Sequence, residues 1–294
     1  MKKAMQIFGQ IISGLSVGMV YFLIAVGLSM VFGTLKVLNI AHASLYMLGA
    51  YVCYSVTHFL GSSSGAFWIA LIVAPLCVAV FGGIVEYFFL RPIYKRDLLY
   101  QLIVTFGLIL IIGDIVKLIW GVQFYQVKTP WPLAGVADVF GTKLSFYHIF
   151  MVVVGPLVLL LIWFILQKTR LGRVVRAVTH SREMSSALGI NVPVVYTMVF
   201  MLASWLAGLG GTLMAPMSSV FLGMDTTVTI ECFIIIVIGG LGSTVGAFLG
   251  AIVFGLVNSL GILIMPKLTI ALGFLAMAIV LIVRPWGLMG KPEK

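Results

Sequence analysis

Charge is scarce in this sequence. Asp, Glu, Lys and Arg make up only 9% of its 294 residues, and just 8 are acids. A soluble domain carries about 25% charged residues and needs polar groups to cover its surface, so a soluble domain is excluded. Cysteine is scarcer: Cys53, Cys77 and Cys232 stand apart in apolar stretches. That spacing argues against a disulfide framework or a thiolate metal site and leaves buried, reduced thiols. No G-x-x-x-x-G-K-[ST] phosphate cradle occurs, so no ATP chemistry is expected in the chain itself. Neither a Ser/His/Asp set nor a His/Cys/carboxylate cluster of usable spacing is present, and an enzyme is not expected. The net charge is +10, but the basic residues sit in clusters between apolar runs, without interleaved aromatics. Nucleic acid is therefore not an expected partner.

Apolar residues are abundant instead, at 62%, with a mean hydropathy of +1.21. Lipid is the solvent that accommodates them. A helix crosses the hydrocarbon with about 20 apolar residues, and backbone groups in lipid must bond internally. Eight runs qualify, at about 7–32, 38–60, 67–90, 98–120, 147–167, 196–222, 230–264 and 268–284. Their hydrophobicity is continuous rather than alternating, which excludes a membrane β-barrel. The first run is too long for a cleaved signal peptide. The expected fold is an all-α polytopic bundle, one membrane domain over 1–294. Trp68, Trp120, Trp163 and Trp286 near run ends fit the membrane interface.

Basic clusters orient the bundle. Arg91, Lys95 and Arg96 follow the third run, and Lys168, Arg170, Arg173, Arg176 and Arg182 follow the fifth. Both clusters belong on the cytoplasmic side. Eight strict crossings would then put Lys2, Lys3, Arg284, Lys291 and Lys294 outside. The conflict lifts if 38–60 and 230–264 each dip in and return or pass an extra time, and cytoplasmic termini are expected. Both regions hold breakers: Asn39-Ile40-Ala41-His42 in one, Gly239-Gly240-Leu241-Gly242-Ser243 in the other. Irregular backbone at membrane depth is tolerated where it lines a cavity or is buried in protein. Asn39, His42, Gly239, Gly240, Gly242 and Ser243 are therefore candidate substrate-path residues. Asn39 and His42 serve equally well to satisfy backbone groups freed at the break. Exposed N–H groups at the glycine turn would receive a carboxylate. The flanking Phe32-Gly33-Thr34-Leu35…Leu48-Gly49-Ala50 and Ile238-Gly239-Gly240-Leu241…Leu249-Gly250-Ala251 resemble an internal repeat, as transporters often contain.

Few charges fall inside the runs. Asp114 and Lys117, at i and i+3, are placed to neutralise each other. Glu86 lies near the inner surface, hydrated or paired. Glu231 opens the seventh run, near the outer surface, where the helix dipole favours an acid.

The polar stretch 168–193 is the longest on the inner face. Val174, Val175, Val178, Met184, Ala187 and Leu188 form a helical stripe, with Gly189 and Pro193 as stops. Two readings stand: an amphipathic helix gripped by a soluble motor, or a solvated loop that fixes topology. Several segments of the chain resemble one family. They are Thr169-Arg170-Leu171-Gly172-Arg173, Ala187-Leu188-Gly189-Ile190-Asn191, Asn39 through Tyr51, Gly239 through Ala247, and Arg91-Pro92. All are similar to the branched-chain amino acid permeases of binding-protein-dependent ABC importers. The coupling motif of that class matches at Glu183 and Gly189, with Met184 and Ser185 replacing its alanines. The resemblance implies a cytoplasmic coupling loop at about 168–195, worked through Arg173, Arg176, Glu183, Ser186 and Gly189. It implies two cytoplasmic ATPase subunits that bind ATP and Mg, no cofactor in this chain, a second related permease, whether copy or relative, and an extracytoplasmic substrate-binding protein. A bacterial cytoplasmic (inner) membrane location follows from it, and the substrates are branched-chain or hydrophobic amino acids, or urea and short amides. The principal alternative is an ion-coupled carrier, which would want paired intramembrane acids or a sodium site; a passive channel or membrane-embedded enzyme fits less well.

Overall fold

A computed structural model describes residues 2–61, 64–94, 96–139 and 142–290. Lys95, Lys291 and Lys294 of the basic clusters lie outside the described residues, as do the side chains of Lys2 and Lys3. Nine long helices occur among the described residues: α1 (Lys2–Leu35), α2 (His42–Phe59), α3 (Ser64–Val85), α4 (Leu98–Trp120), α5 (Phe146–Lys168), α8 (Val192–Met214), α9 (Met224–Gly239), α10 (Thr244–Ile264) and α11 (Thr269–Val283). Two shorter helices, α6 (Arg170–His180) and α7 (Arg182–Ala187), join α5 to α8. A hairpin of β1 (Val136–Val139) and β2 (Thr142–Ser145) precedes α5. Seven helices are long and apolar enough to cross a membrane; α2 and α9 are not among them, and the others enclose them. The protein is an all-α, multi-pass membrane bundle.

The bundle is built around α1. Every residue from Gly18 to Val31 is buried. Small residues let α10 lie antiparallel against it. A Cβ on Gly14 would come 2.7 Å from the Gly255 carbonyl oxygen, and one on Gly18 2.7 Å from that of Ala251. Further along, a Cβ on Gly33 would stand 3.0 Å from Gly242 Cα. Such close backbone approach is how membrane helices associate without a hydrophobic driving force between them. α2 crosses α8 in the same way, with Gly49 on the backbone of Gly208 and Gly211 on the Tyr46 carbonyl.

This packing fixes which ends lie together. Lys36, Leu241–Ser243, Pro285, Trp286, Met289 and Thr179 of α6 line one cleft. The same end holds the close of α3 and the start of α8, where Tyr94 meets Tyr196 at 5.3 Å between rings. It carries Lys36, Arg91, Arg96, Lys168, Arg170, Arg173, Arg176, Arg182 and Arg284. Lys117, Lys128, Lys143 and Lys267 lie toward the other end, where Trp120 Nε1 donates to Ser55 Oγ at 2.7 Å and Tyr125 pairs with Val220.

The run 230–264 is broken at its glycines as expected: it forms two helices, α9 and α10, and passes an extra time. Two other expectations change. The region 38–60 neither dips nor passes twice. After Lys36 the chain re-enters as irregular backbone through 41, and α2 begins beside Gly27 and Ala203 in the interior. One crossing, unwound over its first part, results. The termini consequently fall at opposite ends: the 284–290 segment at the basic end, and the start of α1, antiparallel to α10, at the other. Cytoplasmic placement of both is thereby corrected.

Candidate functional site: the basic end and its two short helices

Thr169 turns the chain sharply out of α5. Its backbone is extended, its Oγ1 donates to Ile165 O at 2.6 Å and accepts from Gly172 N at 3.2 Å. A side chain at Gly172 would strike the carbonyls of Leu166 and Ile165, so glycine lets α6 fold back under the bundle. Arg176 donates to the Leu166 carbonyl and pins α6 to the end of α5. Gly172, Val175 and Val178 are buried, while Arg173 is exposed.

The stripe read as one helix divides at Ser181, which is extended and caps α7 by accepting from Met184 N at 3.2 Å. Hydroxyl capping of this kind satisfies an orphan N–H and starts a new helix. Gly189 ends α7 in the left-handed region at φ +81°. Its N–H bonds Ser186 O, and Ile190 N–H bonds Ser185 O, both at 3.0 Å, which is a Schellman termination. Val175 and Val178 therefore face the bundle, whereas Met184 and Leu188 are 62% and 75% exposed. Glu183 and Ser186 are exposed beside them. Ser185 is buried, and the Arg182 guanidinium lies over the Tyr196 ring at 5.5 Å, tying α7 to α8.

That anchorage continues inward. The end of α3 widens into a π-turn, Glu86–Leu90, a distortion frequent at functional sites. It places fully buried Glu86 where Tyr94 Oη donates at 2.5 Å and Thr197 Oγ1 at 2.6 Å. The carboxylate is satisfied by two hydroxyls rather than by a cation, and it links α3 to α8.

Thr179 of α6 borders a cleft of about 930 Å³ that also contains Phe32, Gly33, Gly242, Ser243 and Trp286. Gly239 abuts Gly246, and Gly240, at φ +101°, lies against Gly287 and Gly290. The tail is bonded there by Leu288 N to Ile238 O and Met289 N to Gly239 O, each 2.9 Å. Ser243 caps α10 by accepting from Gly246 N at 2.9 Å. Two N–H groups of the turn are already used: Gly240 N bonds Ile236 O and Ser243 N bonds Gly240 O.

Asn39 and His42 lie elsewhere. Asn39 Oδ1 accepts from Ala41 N at 3.1 Å within the unwound stretch. His42, 1% exposed, starts α2 against Gly27. The structure therefore brings the glycine turn beside Thr179 of α6, with none of Arg173, Arg176, Glu183, Ser186 or Gly189 lining that cleft, and leaves Asn39 and His42 in the interior.

Sequence reasoning missed Asp225, which is 4% exposed and accepts from Ser44 Oγ at 2.5 Å. Its signal was faint: an acid two residues beyond Gly223, the left-handed residue that caps the start of α9. Glu231 is not at a helix start either, because α9 begins at Met224. It is 7% exposed, near the Tyr21 hydroxyl, with Oε2 unpartnered. Asp114 and Lys117 form no ion pair, and both are exposed. No group of three metal-capable side chains occurs among the described residues.

A family model described as "Branched-chain amino acid transport system / permease component" matches residues 10–283. The chain belongs to that permease family. Its likeness to individual members runs almost end to end. It is 30% identical to the high-affinity branched-chain amino acid transport system permease protein BraD of Pseudomonas aeruginosa, over 97% of this chain and 96% of the relative. It is 27% identical to the corresponding LivH protein of Escherichia coli, over the same shares. A probable branched-chain amino acid transport permease LivH of Methanocaldococcus jannaschii is 25% identical over 91% of this chain and 88% of that one. No solved structure matches. In this permease, the matched region contains both the α6–α7 pair and the glycine turn.

Proposed function

We propose that this chain is the membrane-spanning subunit of an ATP-driven importer of branched-chain and related hydrophobic amino acids, in a bacterial cytoplasmic membrane with its basic end in the cytosol. The observation that carries the proposal is the α6–α7 pair: two short helices, each anchored to the bundle, presenting Met184 and Leu188 outward. Apolar side chains exposed at a polar, basic surface mark a contact with another protein. Two cytoplasmic ATPases fill that role, holding ATP and Mg, which this chain has no phosphate cradle to bind. A second permease and an outer binding protein complete the assembly.

Closure of the ATPases would push α7, and the anchors set where the push goes. Arg182 on Tyr196, and Glu86 with Tyr94 and Thr197, carry it to α8 and α3. Arg176 and Gly172 carry it to α5. Thr179 moves with α6 at the rim of the cleft, so Gly242 and Ser243 border the opening that alternates. Motion of rigid groups about a central site is the usual basis of alternating access.

The test is reconstitution. Leucine uptake into vesicles holding this chain with its neighbouring permease, ATPases and binding protein should require internal ATP and stop with vanadate. Uptake that persists without any ATPase, driven by a sodium or proton gradient, would overturn the proposal.

A further inference from the structure

One residue of the basic end has an unusual backbone. Lys36 stands at φ +57°, the one non-glycine in the left-handed region among the described residues. Its N–H bonds Phe32 O at 3.1 Å and closes α1. Glycine is favoured at such a helix end, because a Cβ there crowds the following carbonyl oxygen. The helix dipole welcomes a cation at that end, but it does not ask for the left-handed backbone. Strain of this kind persists where the surroundings fix it, and it gathers at ligand sites.

Lys36 lies in the cleft of about 930 Å³, its Nζ 6.0 Å from the centre of the Phe32 ring. That volume is large for a small-molecule site, which runs to about 1,000 Å³. Three hydroxyls share the lining, on Thr179, Ser243 and Thr244. Ser243 Oγ accepts from Gly246 N, which leaves its own hydrogen to donate. The rest of the lining is chiefly apolar, and Leu241, Val245 and Trp286 in it are exposed. An exposed tryptophan at the basic end fits the headgroup level of a membrane. Among the described residues no acid lines the cleft. An amino acid there would leave its ammonium unpaired. An amphiphile with an anionic head and an apolar body matches both parts of the lining.

We infer that the cleft holds an anionic phospholipid of the cytoplasmic leaflet, with its phosphate on Lys36 and the Ser243 hydroxyl and its acyl part along Leu241, Val245 and Leu281. Basic pockets between membrane helices on that side take such headgroups. The lipid would border α6 at Thr179 and the glycine turn at Gly242 together. The site stands apart from the importer assignment, since binding is read without transport.

Titration of the purified full chain in detergent with phosphatidylglycerol, read by native mass spectrometry, tests this. Phosphatidylcholine and inorganic phosphate are the comparison ligands. Phosphatidylglycerol should bind about tenfold more tightly than phosphatidylcholine. Lys36→Gln should weaken it about tenfold, the loss of one charge-assisted contact, and Lys36→Arg should retain it. Lys168→Gln removes the same charge at the same end, outside the cleft, and should change nothing. Lys36→Gly should lose binding as Lys36→Gln does without lowering the unfolding temperature in lipid-free detergent, because glycine accepts the left-handed backbone. Should Lys36→Gln fail to fold, Lys36→Gly alone decides. Unchanged affinity in both Lys36 variants, or an equal loss in Lys168→Gln, overturns the site. Equal affinity for the two lipids overturns the anionic head, and inorganic phosphate that competes as tightly as the lipid overturns the lipid as occupant. A lower unfolding temperature for Lys36→Gly assigns the lysine to the fold and overturns the argument from strain.

Discussion

At the α2–α8 crossing, a Cβ on Gly211 would overlap the Tyr46 carbonyl oxygen and sit 2.8 Å from Ala50 N. Both obstacles are backbone, so no rotamer change relieves them. Gly211→Ala should cost about 1–3 kcal/mol by overpacking, seen as a lower unfolding temperature in detergent. Gly113→Ala, where a Cβ meets nothing, should leave that temperature unchanged. Glu86 makes the complementary point. It accepts from two hydroxyls in full burial, and removing the acceptor strands the Tyr94 hydroxyl, whereas Thr197 Oγ1 keeps the Pro193 carbonyl at 3.1 Å. Glu86→Leu should therefore destabilise by about 2 kcal/mol, the penalty of an unsatisfied buried group; the same thermal melt measures it.

The α6–α7 pair shows what an element can do that its residues cannot. Six residues are too few for α7 to be stable alone. It persists because Ser181 caps it, Gly189 closes it, and Arg182 and Ser185 hold it to the bundle. The exposed Met184 and Leu188 are left free for a partner. Leu188→Asp should weaken ATPase association by about 2 kcal/mol or more, the scale of an interface hot spot, with the unfolding temperature kept. Titrating purified ATPase against the reconstituted permease measures the loss, and unchanged affinity would remove α7 from the interface.

For the whole molecule, nine passes between the basic end and the opposite end follow from splitting 230–264 and from running 36–59 through the bundle once; seven of them are made by helices of membrane-spanning length and hydropathy. An odd number puts the ends of the chain on opposite sides. A cysteine at Ser181 should be labelled only from the cytosol, and one at Phe59, 89% exposed at the far end, only from outside. A cysteine at Gln6 should behave like Phe59. Labelling of Gln6 from the same side as Ser181 would contradict the crossing count.

The sequence by itself determined the solvent, the helices and the family. Apolar runs of membrane length leave a chain no other medium, and helix limits follow from local features such as Trp120-Gly121 at the close of α4 or the Ser243 cap of α10. The basic side of 168–193 was legible for the same reason, since a charge bias is carried by composition. Tertiary structure decided the rest. Whether Glu231 lies at a surface or in the interior depends on where α9 begins, and that is set by the left-handed turn at Gly223 and by packing against α1 and α2. Whether Asp114 is neutralised by Lys117 depends on rotamers that spacing leaves open. Which glycine meets which backbone, Gly33 with Gly242 or Gly49 with Gly208, depends on contacts far apart in the chain. Local propensity is additive along a sequence; close approach between distant backbones is not, and only the folded bundle selects it.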